Sequence, residues 1–217
     1  PTATDPEVSV TLNCTSGTVS ITDPAYYEEV KSASNTTTTT AKSASFWVSG
    51  FTTGATCYAT EVVPAGYVQS ANTCGTSGAP GLSLPDGATS CTITNRPTEA
   101  TFTVNKNFSD SNPNLQAAVT PLCTDAGGGP GITYSPANGN ATHGTNFVTT
   151  VKYFAGTTNC TASEVDLVGY TQEMNVSTCD NNTGITDTVD GSCVIQNQQD
   201  PVDIYASKIF TSGGATA

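Results

Sequence analysis

The sequence predicts an all-β chain: two tandem β-sandwiches followed by one unattached strand. Three observations carry this. Thr, Val, Gly and Pro recur, and short alternating runs sit between turn residues, while no stretch sustains a helical period. The chain repeats itself once. The strand that opens the second copy, Thr101-Phe102-Thr103-Val104-Asn105-Lys106, returns after that copy has closed as Val202-Asp203-Ile204-Tyr205-Ala206-Ser207-Lys208.

The repeat is read from matched positions. Cys14-Thr15 aligns with Cys123-Thr124, and Cys57-Tyr58-Ala59-Thr60-Glu61 with Cys160-Thr161-Ala162-Ser163-Glu164. Gly66-Tyr67 aligns with Gly169-Tyr170, Cys74 with Cys179, Cys91 to Asn95 with Cys193 to Asn197, and Lys106 with Lys208. The offsets run from 102 to 109, with the drift confined to loops. This divides the chain into a first sandwich at 1–98, a second at 99–198 and a C-terminal donor strand at 199–217. The first copy starts near Val8, at the second strand of the fold, without a counterpart of Thr101–Lys106.

Within the first copy, Val8 to Leu12 alternates, and Phe46-Trp47-Val48 runs up to Gly50. Cys57 to Val63 forms a strand before the Pro64-Ala65-Gly66 turn, and Cys91 to Asn95 closes the copy. These strands are expected to pair antiparallel. Asn35 to Thr40 is a polar low-complexity loop, and Gly127 to Gly131 a flexible turn. The link Arg96 to Glu99 is short and holds Pro97, which favours a stiff junction.

Composition narrows the partners. Six Lys and Arg stand against 18 Asp and Glu, a net charge of −12. Nucleic acid and anionic membranes reward basic patches, so neither fits. No apolar run reaches transmembrane length, so no membrane insertion is expected. Eight Cys divide evenly between the copies, with no C-x-x-C pair, and His143 is the one histidine. No metal or other cofactor is implied. Evenly repeated cysteines read as disulfides in an oxidising compartment, so the chain is expected to be secreted, extracellular or on a cell surface. Each set of four allows three pairings. The favoured ones are Cys14–Cys57, Cys74–Cys91, Cys123–Cys160 and Cys179–Cys193, each contributing ~2–4 kcal/mol. Glycosylation sequons begin at Asn13, Asn35, Asn107, Asn140, Asn159, Asn175 and Asn181.

Strand parity then singles out a polar constellation. Cys57, Ala59 and Glu61 share one face, as do Cys91, Ile93 and Asn95. The second copy repeats this with Cys160, Ala162, Glu164 and Cys193, Ile195, Asn197. If Cys and Ile point inward, so do Glu and Asn. Phe102, Val104 and Lys106 likewise share a face, and Val202, Ile204, Ala206 and Lys208 share another. Buried charges require partners. The plain reading is a lysine that snorkels to the sandwich edge and hydrogen-bonds its glutamate.

The Phe102-Thr-Val-Asn-Lys106 strand, the Glu61-Val-Val-Pro-Ala-Gly-Tyr67 run and the Ile93-Thr-Asn95 ending resemble the Ig-like, prealbumin-like, Cna-B-type repeats of bacterial surface adhesins and pilins. The resemblance covers both copies, in a variant with extra cysteines. It implies that a first-strand Lys and a last-strand Asn can join in an isopeptide bond assisted by a buried Glu. Lys106, Glu164 and Asn197 match those positions. In the first copy Glu61 and Asn95 match, and Lys208 of another chain would supply the amine. The reaction is self-crosslinking, and no enzymatic turnover is expected.

Weaker signals point to plainer roles. The acidic stretch Asp180 to Asp190 lacks EF-hand spacing and reads as a solvated loop. Trp47 reads as core, and His143 has no nucleophile motif beside it. The leading expectation is thus a structural subunit of an extracellular filament, pilus-like or a matrix fibre. Identical subunits would join head to tail by donor-strand complementation. A repeat region of an adhesin that binds a glycan or host receptor is the alternative. A chain that forms one period of a longer array would satisfy the repeat equally.

Overall fold

The computed structural model describes residues 6–23, 26–32, 36–39, 43–79, 81–84, 88–124, 131–181 and 183–209. It is all-β, with strands in several sheets. The first nine strands are β1 (Val8–Cys14), β2 (Thr18–Asp23), β3 (Tyr26–Ser32), β4 (Thr36–Thr39), β5 (Phe46–Ser49), β6 (Thr56–Val62), β7 (Tyr67–Asn72), β8 (Leu82–Ser83) and β9 (Ile93–Pro97). The next nine are β10 (Glu99–Phe108), β11 (Gln116–Cys123), β12 (Thr133–Ser135), β13 (Gly139–Thr142), β14 (Phe147–Lys152), β15 (Thr158–Glu164), β16 (Tyr170–Gln172), β17 (Thr183–Ile185) and β18 (Gly191–Gln199).

The C-terminal half is organised by β10. Ala100, Phe102, Val104, Lys106 and Phe108 alternate inward and are buried, while the residues between them are half-buried under neighbouring strands. β10 lies centrally in the sheet β12-β14-β10-β18-β16, which faces the sheet β13-β11-β15-β17. Phe102, Val104, Phe147 and Ile195 of one sheet meet Val119, Cys160 and Ile185 of the other in a single core. One pairing departs from the antiparallel expectation: β10 and β18 run parallel, from Phe102 opposite Gly191 to Phe108 opposite Asn197. They are the first and last strands of this half. The whole sandwich connects them, so no hairpin dictates their direction.

The N-terminal half has the same first layer, β4-β1-β6-β8. Its second layer is split into β3-β2-β5 and β7-β9. Pairing identifies the counterparts: β5 stands for β14, β9 for β18 and β7 for β16. In the C-terminal half β10 lies between β14 and β18. Among the described residues, no strand lies between β5 and β9. Leu12, Cys57, Ala59 and Cys74 are the buried members of the small core here, with Phe46, Val48, Leu82 and Ile93 packed partly against them.

Disulfides join Cys14 to Cys57, Cys74 to Cys91, Cys123 to Cys160 and Cys179 to Cys193. Cys14 and Cys57 are direct cross-strand partners in β1 and β6, as Cys123 and Cys160 are in β11 and β15. Trp47 departs from its expected core position and is 49% exposed. Strand parity explains this, since Phe46 and Val48 of β5 face the core and Trp47 faces outward.

The halves meet through a short junction. Thr98 is buried between them and donates its hydroxyl to Phe154 O at 2.6 Å. Arg96 grips Asp187 with two hydrogen bonds, of 2.8 and 2.6 Å, and the Glu99 N–H donates to the same carboxylate at 3.0 Å. The rings of Tyr67 and Tyr153 meet edge to face, 5.5 Å between centroids. Past β18, residues 201–209 are exposed and join no strand.

Candidate functional site

Period-two alternation on three strands brings Lys106, Glu164 and Asn197 into the C-terminal core. Lys106 does not reach the sandwich edge. Its side chain is 0% exposed, and that of Glu164 4%. Lys106 Nζ lies 3.2 Å from Glu164 Oε2 as an ion pair, donates to Asn107 O at 3.3 Å, and sits 4.3 Å from the Phe108 ring centroid. Phe108 thus covers the ammonium with the face of its ring, a cation–π contact the sequence reading missed. Asn197 is the ladder partner of Phe108 on β18, and its Oδ1 is buried without a hydrogen-bond partner.

The electrostatics of Lys106 pull in two directions. Burial lowers the Lys106 pKa, and the Glu164 charge opposes that shift. A deprotonated Lys106 would be a nucleophile in the same core as a carboxamide and a carboxyl group, which is the chemical inventory for amide exchange.

The N-terminal half brings the matching Glu61 and Asn95 together. Asn95 of β9 donates from Nδ2 to Glu61 Oε2 of β6 at 2.9 Å. Glu61 Oε1 and Asn95 Oδ1 are buried with no hydrogen-bond partner. Asn197 Oδ1, the counterpart of Asn95 Oδ1, is orphaned in the same way, and each unsatisfied buried oxygen is costly. The residues that would bring a lysine here, Val202, Ile204, Ala206 and Lys208, lie on the exposed tail instead. Val202 is 80% exposed and Ile204 88%.

The other marked residues have structural partners. His143 Nδ1 accepts from the Phe108 N–H at 3.0 Å and so holds the end of β10. In the acidic stretch, Asp187 takes Arg96, and Asp190 accepts from the Thr101 N–H at 2.6 Å. Among the described residues, no group of His, Cys, Asp and Glu has metal-binding geometry. Also among the described residues, no helix is long and apolar enough to cross a membrane. Of the sequons, Asn140, Asn159, Asn175 and Asn181 are exposed, Asn13 and Asn107 are half-buried, and Asn35 lies outside the described residues.

No protein family and no curated protein matches the sequence. Several solved structures resemble the fold at low identity. One is a major pilin from Streptococcus pyogenes, 10% identical, with 90% of each chain covered and a TM-score of 0.41. Another Streptococcus pyogenes major pilin is 12% identical over 89% of this chain and 91% of its own, with a TM-score of 0.38. A pilus-presented adhesin is 13% identical over 48% of this chain, with a TM-score of 0.33, and the match spans 28% of the adhesin.

Proposed function

We propose that this chain is a structural subunit of an extracellular filament, built head to tail by strand donation. The observation that carries the reading is the strand position between β5 and β9, which no described residue fills, matched by the repeat of the β10 pattern on the exposed residues 202–209. Unpaired sheet edges are templates for an added strand. The chain is then read as a first sandwich at 1–98, a second at 99–198 and a donor segment at 199–217.

The occupied half supplies the register. Carrying the β10–β18 pairing through the repeat puts Ala206 opposite Cys91 and Lys208 opposite Ile93, parallel to β9 and antiparallel to β5. Val202, Ile204 and Ala206 then fill the small core, and Lys208 meets Glu61 and Asn95. Because β18 runs through Gln199, only Asp200 and Pro201 link it to the donor. Two residues span at most about 7 Å, too little to turn the donor back across its own sandwich. Donation to another copy is heterologous, and such contacts propagate an open filament.

Covalent closure would follow where the amine is neutral. Lys106 Nζ attacks the Asn197 carboxamide carbon, Glu164 relays the protons, a new C–N bond forms and ammonia leaves. The product is ~17 Da lighter per bond. Lys208 and Asn95 of the next subunit would react in the same way beside Glu61. Filaments in electron micrographs of the full chain, lost when residues 202–217 are deleted, are the expected result. A truncated chain that still forms normal filaments overturns strand donation.

A further inference from the structure

A tight turn occurs twice in the chain with the same geometry. Tyr67 N donates to Pro64 O, and Tyr170 N donates to Leu167 O, both at 3.1 Å. Gly66 and Gly169 each hold φ at 81°, as a type II turn requires at its third position. The strand exits match too: Thr98 N donates to Gly66 O at 3.0 Å, and Asp200 N to Gly169 O at 2.9 Å. The chain therefore leaves both halves by the same hydrogen bond.

The two turns differ in what covers them. Gly66 is buried, and a Cβ there would come within 2.9 Å of Tyr153 O. Gly169 is exposed with nothing within 4 Å of such a Cβ, and Val168 beside it is 103% exposed. The covering bend also has a bare counterpart. Tyr153 holds φ at 66° and Gly50 at 64°. Each precedes a phenylalanine, Phe154 or Phe51, six residues before the matched cysteine. A Cβ on Gly50 would meet nothing within 4 Å. One end of the chain thus carries an uncovered turn, and the other an uncovered bend of the kind that covers it.

We propose that the Leu167–Tyr170 turn of one copy seats on the Gly50–Phe51 bend of the next, repeating between subunits the packing found within the chain. The partner is a second copy, and the inference rests on the strand-donation reading. The new contact differs from the one within the chain at several positions, Asp200 standing where Thr98 does. Val168 stands where Ala65 does, Gln198 replaces Arg96, and Pro201, which has no N–H, replaces Glu99. Both groups that hold Asp187 are therefore lost, so the contact should resist salt.

The test immobilises the chain lacking residues 202–217 and compares four analytes: a peptide of residues 199–217, the full chain, and the full chain with Val168→Asp or with Leu122→Asp. The full chain is expected to bind about tenfold tighter than the peptide, with the advantage kept in high salt and lost in V168D. Leu122→Asp, on the exposed face of β11, should bind as the unaltered chain does. Equal binding by V168D and the unaltered chain overturns the interface. A peptide that fails to bind overturns strand donation instead.

Discussion

Lys106 and Glu164 form an ion pair sealed inside the C-terminal sandwich, with Nζ 3.2 Å from Oε2 and almost no solvent at either side chain. Removing one partner strands the other charge in the core. Lys106→Met and Glu164→Leu are each expected to cost about 3–5 kcal/mol. The double variant should recover much of that loss, because it leaves no uncompensated charge. Denaturant midpoints of the three variants check this. A double variant as unstable as either single one would show that the pair is not the source of the cost.

Strand parity predicts which tail residues assembly needs. Ile204→Asp should abolish filaments, because its side chain would enter the core between β5 and β9. Asp203→Lys, one residue away on the opposite face, should leave them intact. Electron microscopy and sedimentation distinguish the two. Equal effects from both substitutions would point to a tail that acts through its charge alone.

The Arg96–Asp187 pair gives the junction a pH dependence of known sign. Arg96, first by its hydrogen bond, holds the Asp187 pKa below the ordinary 3.8. A carboxylate depressed in the folded state stabilises above its unfolded pKa and loses that contribution as pH falls through the folded value. The effect is small, since the Arg96 side chain is 46% exposed and solvent screens the pair. Stability curves of the parent chain and Asp187→Asn should therefore differ at neutral pH and converge in acid below the ordinary carboxylate range.

The N-terminal half should depend most on its disulfides. Cys74 and Cys91 close a separation of 17 residues beside a small core. Replacing both with Ala is expected to cost about 3 kcal/mol. Mild reduction should expose Val8–Pro97 to protease before Glu99–Gln199. Filament assembly ahead of reduction should narrow that gap, because a seated donor would supply the missing apolar contacts.

The polar site was legible because a strand has a period of two. Once Cys and Ile were taken as inward, Glu61, Glu164, Asn95, Asn197 and Lys106 had only one side to face. The parallel β10–β18 pairing was not legible, because alternation marks faces and carries no direction. Nor were β2 and β3, where Tyr26-Tyr27-Glu28-Glu29 breaks any alternation. The Phe108 contact with Lys106 was within reach, since the two residues share a face at a spacing of two. The Arg96–Asp187 clamp was not, because it joins a strand end to a loop 91 residues away with no periodic signal.

The parallel β10–β18 pairing has a consequence for load. The chain enters β10 at Glu99 and leaves β18 at Gln199, at opposite ends of one ladder. Tension along the chain therefore slides the two strands past each other. All the ladder hydrogen bonds are strained together, where a hairpin would open one pair at a time. A donated strand parallel to β9 would be loaded in the same way. A pull would thus act along each joint in shear, the direction in which a β-ladder resists most.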